Sequence, residues 1–184
     1  MKILIPEDQL RQGISRMAKE IRKHYAGKPL TMVGVQLGSI VLLADLIRLL
    51  DIAFRVELVQ ARRSGRGSAE PGPLVFDPGL LVTEIRGRHV LLVDDTFHTG
   101  TTIWDLIPQF DELGPETVRV AVLLRKQGQC RVPKQPDFVG FDIPDTFVVG
   151  YGLDYEDRHR NLPYIAALEP HEMAGSAAQR AERT

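Results

Sequence analysis

The chain has 184 residues, 43% of them hydrophobic, with one cysteine and 23 Lys+Arg against 24 Asp+Glu, a net charge of −1. This length suits one domain with a full core, so no disulfide or structural zinc is required, and Cys130 has no partner with which to build either. The balanced charge removes the broad attraction that non-specific nucleic-acid or anionic-membrane binding relies on.

The N-terminal residues Met1-Lys2-Ile3-Leu4-Ile5-Pro6-Glu7-Asp8 turn acidic early and show no small-residue cleavage site, so no secretion signal is expected and a cytoplasmic location is. Pro6-Glu7-Asp8 then opens a segment in which Leu10, Ile14, Met17, Ala18 and Ile21 recur at helical spacing, and Gly27-Lys28-Pro29 closes it, which predicts a helix. Leu30-Thr31-Met32-Val33-Gly34-Val35 is an apolar run suited to a buried strand. It leads through the glycine turn Leu37-Gly38-Ser39 into an apolar helix over residues 40–50, in which Asp45 and Arg48 exclude a membrane span. A second strand is predicted over 54–59. Such strand–helix–strand units in series give a parallel sheet covered on both faces.

Residues 61–73 are rich in turn formers and carry Arg62, Arg63 and Arg66, the pattern of a functional or disordered loop. A strand over 89–93 and a helix over 102–113, stopped by Gly114-Pro115, come next. Further strands are predicted over 117–124, around 138–140 and over 146–149. Trp104 and Phe110 read as core residues of their helix. His24, His89, His159 and His171 lie among charged neighbours and read as surface residues. The tail, 169–184, has no periodic apolar face and reads as frayed.

The chemistry concentrates in Val90-Leu91-Leu92-Val93-Asp94-Asp95-Thr96-Phe97-His98-Thr99-Gly100-Thr101-Thr102, where an apolar strand ends in two carboxylates and a Thr-Gly-Thr-Thr turn opens a helix. Ligands of open parallel sheets bind at the carboxyl ends of the strands, and backbone N–H groups at a helix N-terminus cradle phosphate. The carboxylates would then face ribose hydroxyls or a hydrated magnesium ion. The residues alone fit a second reading equally, a solvated strand end followed by a threonine N-cap.

This segment resembles the diphosphate-ribose binding motif of the phosphoribosyltransferases: four apolar residues, two acidic, two apolar, then Asp-Thr-Gly-x-Thr. Residues 136–155 and 160–165 resemble the purine-binding end of hypoxanthine phosphoribosyltransferases, and the likeness extends over residues 3–168. The resemblance implies an α/β fold, a doubly wound, mostly parallel sheet of about five strands flanked by helices, with a small hood and a mobile loop. Residues 1–168 would form this domain. The implied activity is transfer of phosphoribosyl from 5-phosphoribosyl diphosphate to hypoxanthine or guanine with Mg2+, giving IMP or GMP and pyrophosphate in purine salvage. The implied partners are these small molecules, with no nucleic acid or membrane, and the implied assembly is a homodimer or homotetramer.

By the same resemblance, Asp94 and Asp95 contact ribose and, with Asp154, the metal. Thr96, Phe97, Thr99, Gly100, Thr101 and Thr102 hold ribose and its 5-phosphate. Leu37, Gly38 and Arg160 lie at pyrophosphate. Lys126 donates to the purine 6-oxygen, Phe147 stacks on the base, the Val148 backbone reads its edge, and Leu153 lies beside it. An aromatic face and directed donors suit a flat base.

Three positions depart from the family pattern. His98 stands where the family has an aspartate that takes or shares the proton on purine N7. Neutral imidazole also accepts a proton, so His98 is the expected catalytic base, although it lacks the charge of a carboxylate. Leu37 replaces a lysine before the turn glycine. Arg63-Ser64 replaces the Ser-Tyr of the closing loop, and Arg63 is expected to supply positive charge to pyrophosphate. These departures leave two alternatives, a homologue with another acceptor base and a nucleotide-binding regulatory protein with little catalysis.

Overall fold

Alternation along the strands sets the architecture. In a computed structural model, which describes residues 1–63 (of Arg62 and Arg63 the backbone only), 74–79, 81–169 and 171–172, the elements run β1 (Lys2–Ile5), α1 (Glu7–Tyr25), β2 (Leu30–Val35), a 3-10 turn (Leu37–Ser39), α2 (Ile40–Leu49), β3 (Phe54–Val59), β4 (Arg62–Arg63), β5 (Leu74–Val75), α3 (Leu81–Ile85), β6 (His89–Phe97), α4 (Thr101–Asp111), β7 (Thr117–Lys126), β8 (Phe138–Ile143), β9 (Val148–Val149) and β10 (Ile165–Ala167). The main sheet has five parallel strands in the order β3-β2-β6-β7-β8. Leu30 and Met32 of β2, with Leu91 and Val93 of β6, pack on one face with Ile14 and Met17 of α1 and Leu42 and Leu46 of α2. Their neighbours Val33, Val35, Val90 and Leu92 face the other way, onto Leu81 and Ile85 of α3 and Ile103, Leu106 and Phe110 of α4.

The order also locates the site. From β2 the chain moves outward to β3, then returns to the other side of β2 with β6 and continues to β7 and β8, so the direction of winding reverses between β2 and β6. The carboxyl ends of those two strands, Gln36-Leu37-Gly38 and Asp94-Asp95, flank the crevice where open α/β sheets bind ligands.

The expected doubly wound sheet is present, with β2 and β3 at the predicted positions. β6 runs to Phe97 instead of ending at 93, and β7 runs to Lys126 instead of 124, so the acidic pair and the lysine stand on strand ends and not in turns. The strand expected over 146–149 is only Val148–Val149, which joins β1 and β10 in a small antiparallel sheet that forms the hood. β1, α3, β4, β5 and β10 were too short to show a period in the sequence. Trp104 corrects the expectation of a core residue: it is 47% exposed, because α4 buries the stripe Ile103, Leu106 and Phe110 and turns position 104 to solvent. Residues 64–73, the centre of the expected loop, and 173–184 of the tail lie outside the described residues. No described helix is long and apolar enough to cross a membrane.

Candidate active site

The 3-10 turn after β2 and the acidic end of β6 are in direct contact. A Cβ on Gly38 would stand 1.6 Å from Asp95 Oδ2, so only glycine admits the carboxylate at this place. The turn is entered through Gln36 with φ of 63°, an unusual conformation for a residue with a side chain, and Ser39 Oγ donates to the Gln36 carbonyl at 2.9 Å. On the far side, a Cβ at Gly152 would meet the Gly38 carbonyl at 2.6 Å. Arg160 donates to the Gly152 carbonyl and pairs with Asp154 Oδ1, both at 2.8 Å. These groups enclose a cavity of about 520 Å³ lined by Leu37, Gly38, Asp94, Asp95, Thr96, Thr102, Asp154 and Arg160, with Gln36 and Gln60.

Burial and the adjacent Asp95 push the Asp94 carboxyl well above the usual range, although the Asp95 N–H donates to Asp94 Oδ1 at 2.9 Å. Burial also raises Asp95, against the opposing pull of hydrogen bonding at Thr96 and of the Arg160 charge. A chamber with three carboxylates and one described guanidinium is short of positive charge. Its donors are hard oxygens, the type Mg2+ takes, yet no three His, Cys, Asp or Glu side chains among the described residues converge on one point. Asp94, Asp95 and Asp154 can therefore hold an ion only if phosphate or water oxygens share the coordination.

Beside this chamber the chain turns at Gly100, with φ of 82°, into α4, whose N-terminus has no side-chain cap. Thr99 and Thr101 join their hydroxyls at 3.0 Å across the glycine. The result is a compact turn with N–H groups of the first helical turn and hydroxyls close together, the form of a phosphate cradle. Phe97 departs from its expected place among the ligand contacts: its ring is 2% exposed and packs beneath Gly100, which leaves only its backbone for a ligand.

A second cavity, about 190 Å³, is lined by Lys126, Phe147, Val148 and Leu153 and shares Asp95, Thr96 and Asp154 with the first. The four residues expected at a base thus come together from β7, β9 and the segments around them. Phe147 is 41% exposed, with its ring edge-on to Tyr155 at a centroid distance of 5.4 Å. Burial lowers the affinity of the Lys126 ammonium for its proton, and Asp145 opposes that shift. Asp145 Oδ1 lies 3.8 Å from Lys126 Nζ and 3.1 Å from His98 Nε2. Neither His98 nor Asp145 lines these two cavities; Asp145 lies between His98 and Lys126, which lines the smaller one. The Arg63 side chain and Ser64 lie outside the described residues.

Asp145, Gln36 and Gln60 were not singled out in the sequence. The two glutamines stand immediately past the carboxyl ends of β2 and β3, where the strand-end rule alone would have flagged them. Asp145 had a weaker signal, a carboxylate two positions before the aromatic residue assigned to the base.

A reversal point with an acidic pair on one strand end and a Thr-Gly-Thr-Thr helix entry beside it defines an enzyme that handles a phosphorylated ribose. Accordingly, the model of the phosphoribosyl transferase domain family matches residues 6–156. The hypoxanthine-guanine phosphoribosyltransferase of Streptococcus pneumoniae is 35% identical over 168 residues, 91% of this chain and 93% of that protein. That of Aquifex aeolicus is 35% identical over 92% of this chain and 95% of its own length. A crystal structure of a hypoxanthine phosphoribosyltransferase from Staphylococcus aureus superposes with a TM-score of 0.83 at 30% identity, covering 93% of this chain and 92% of that one. The chain belongs to the hypoxanthine-guanine phosphoribosyltransferase family of pentosyl-transferring enzymes.

Proposed function

We propose that this chain transfers phosphoribosyl from 5-phosphoribosyl diphosphate to a 6-oxopurine, hypoxanthine or guanine, in purine salvage. The observation that carries the reading is the junction of the two cavities: a polar chamber of about 520 Å³ and a smaller one of about 190 Å³ meet at Asp95, Thr96 and Asp154. A ribose held at that junction has its 5-phosphate toward Thr99, Gly100, Thr101 and Thr102, its diphosphate toward Leu37, Gly38 and Arg160, and its C1′ toward the base.

In this reading Asp94 and Asp95 accept from the ribose hydroxyls, Lys126 donates to the purine 6-oxygen, and Phe147, Val148 and Leu153 fix the plane of the ring. The purine N9 lone pair forms the bond to C1′. The C1′–oxygen bond to diphosphate breaks and its electron pair leaves on pyrophosphate, while the N7 proton passes to His98. Asp154, with Asp94 and Asp95, would hold a Mg2+ ion, which would supply charge neutralisation on the diphosphate. The oxygen-only donor set and the excess of carboxylates in the chamber support that assignment. Arg160 also pairs with Asp154, which ties the proposed pyrophosphate contact to the proposed metal ligand. The homodimeric or homotetrameric assembly implied by the resemblance belongs to the same proposal.

A pyrophosphate-release assay against hypoxanthine, guanine, xanthine and adenine tests the reading. Release with the first two and not with adenine is expected. Tight nucleotide binding by calorimetry without release, with Mg2+ and hypoxanthine present, would replace the enzyme with a binding protein.

A further inference from the structure

We propose that Asp145 is the positioning residue for His98: it holds the Nε2–H edge of the imidazole so that Nδ1 is the atom that takes the purine N7 proton. The inference rests on the phosphoribosyl-transfer reading above and identifies how this chain works without an aspartate at position 98.

The geometry has three parts. His98 follows β6 directly, and Asp145 lies between β8 and β9, so two separate stretches of chain bring the groups together. His98 Nε2 is turned inward, although the side chain as a whole is 44% exposed, and the carboxylate oxygen 3.1 Å away belongs to Asp145. That contact lacks the alignment of a hydrogen bond. Catalytic hydrogen bonds are often loose before substrate binds and tighten in the complex. A lone pair on Nε2 facing a carboxylate would be repelled, whereas an N–H is attracted. The contact therefore favours the Nε2–H tautomer and leaves the accepting lone pair on Nδ1.

Charge explains why a histidine alone would be a poor substitute. A carboxylate base goes from negative to neutral as it takes the N7 proton, next to a ribosyl centre that carries developing positive charge. A lone imidazole goes from neutral to positive, which the same centre opposes. His98 and Asp145 together go from one negative charge to none, so the pair reproduces the charge change of the missing aspartate. A carboxylate behind an imidazole, fixing its tautomer and stabilising the imidazolium, is an arrangement known from hydrolases. The same Asp145 oxygen is 3.8 Å from Lys126 Nζ, which supplies the competing explanation: Asp145 could serve only as the counter-ion of that lysine.

Asp145→Asn separates the two. Asp145 is 37% exposed, so the variant is expected to fold, and unchanged calorimetric affinity for 5-phosphoribosyl diphosphate checks that it has. The expected result is a fall in kcat of about 10–100-fold, with KM for hypoxanthine altered by less than about 3-fold. In a His98→Asp background the same Asp145→Asn change is expected to leave activity level or raise it, because two carboxylates in contact repel. Nitrogen-15 NMR of the histidine rings is expected to show His98 as the Nε2–H tautomer in the parent and a shifted tautomer balance in Asp145→Asn.

A rise in KM with unchanged kcat would assign Asp145 to Lys126 and overturn the proposal. So would an equal loss of kcat in both backgrounds, or an Nδ1–H tautomer in the parent. The ring measurement needs no turnover: absent pyrophosphate release by the parent would defeat the transfer reading, while the tautomer would still decide the contact.

Discussion

The two chambers that meet at Asp95, Thr96 and Asp154 are built in different ways. The larger, polar chamber is shaped by close approaches of the backbone. Gly38 and Gly152 bring two turns into contact, Gly100 turns the chain into α4, and Asp94 is 6% exposed beneath them. The smaller chamber is lined by side chains from β7, β9 and the segments beside them, with Phe147 41% exposed, and the nearby His98 and Asp145 are 44% and 37% exposed. The glycines of the first chamber cannot change one at a time, because each holds neighbouring groups in contact, whereas the exposed Leu37 beside Gly38 can. Side-chain chemistry on an exposed segment can, provided an adjacent group supplies the charge that is lost. The departure at His98 lies beside the second chamber, and that at Leu37 changes an exposed side chain at the mouth of the first.

The comparison breaks most visibly at Gly38. Gly38→Ala would set a methyl group 1.6 Å from Asp95 Oδ2, although the φ of Gly38 is not one that an alanine avoids. Asp95 or the turn must then move by more than an ångström. Misplacement on that scale lowers kcat/KM by ~100-fold or more, which steady-state kinetics with varied 5-phosphoribosyl diphosphate would report. Retained affinity would mean that the chamber is softer than its packing indicates. The next largest effect is expected from Lys126→Met, which removes a charged donor from the smaller chamber. Purine KM should rise about 10–100-fold, while calorimetric affinity for the diphosphate substrate stays unchanged. Equal losses for both substrates would show that the two chambers do not act as separate units.

The same contrast governs what the sequence revealed. β2 and the sheet class were legible because a buried parallel strand is written as an apolar run, β3 because Phe54, Val56 and Leu58 alternate with Arg55 and Glu57 as an edge strand allows, and α1 because its Leu10, Ile14, Met17 and Ile21 repeat at the helical period. The acidic pair and the glycine turn were legible because backbone-built sites need particular residues at fixed spacing. Trp104 was misplaced because one apolar residue next to a buried stripe carries no phase information. The burial of the Phe97 ring was not legible, because a motif position says nothing about which way a ring turns. Asp145 was overlooked for a deeper reason: 47 residues separate it from His98, and no local pattern encodes a contact between two connecting segments. Such pairs are visible only after β6, β7 and β8 have been set side by side.

Leu37 offers the smallest and most specific test. It sits at the mouth of the polar chamber, 55% exposed, with Asp94, Asp95 and Asp154 in the walls and Arg160 already joined to Asp154 and the Gly152 carbonyl. Leu37→Lys adds one ammonium where the diphosphate would enter. Exposed charges of this kind contribute little, roughly 1 kcal/mol or less, so diphosphate-substrate affinity should improve about 2–5-fold at low salt. The gain should fade as the screening length drops from about 10 Å at 0.1 M salt to about 3 Å at 1 M. If backbone N–H groups already bind the diphosphate, the gain will be at the low end and kcat will not move, since the added charge acts on substrate and transition state alike. A gain that persisted at 1 M salt would instead mean that the new ammonium is buried against the diphosphate, and that the leucine had been excluding a contact the chamber is shaped to make.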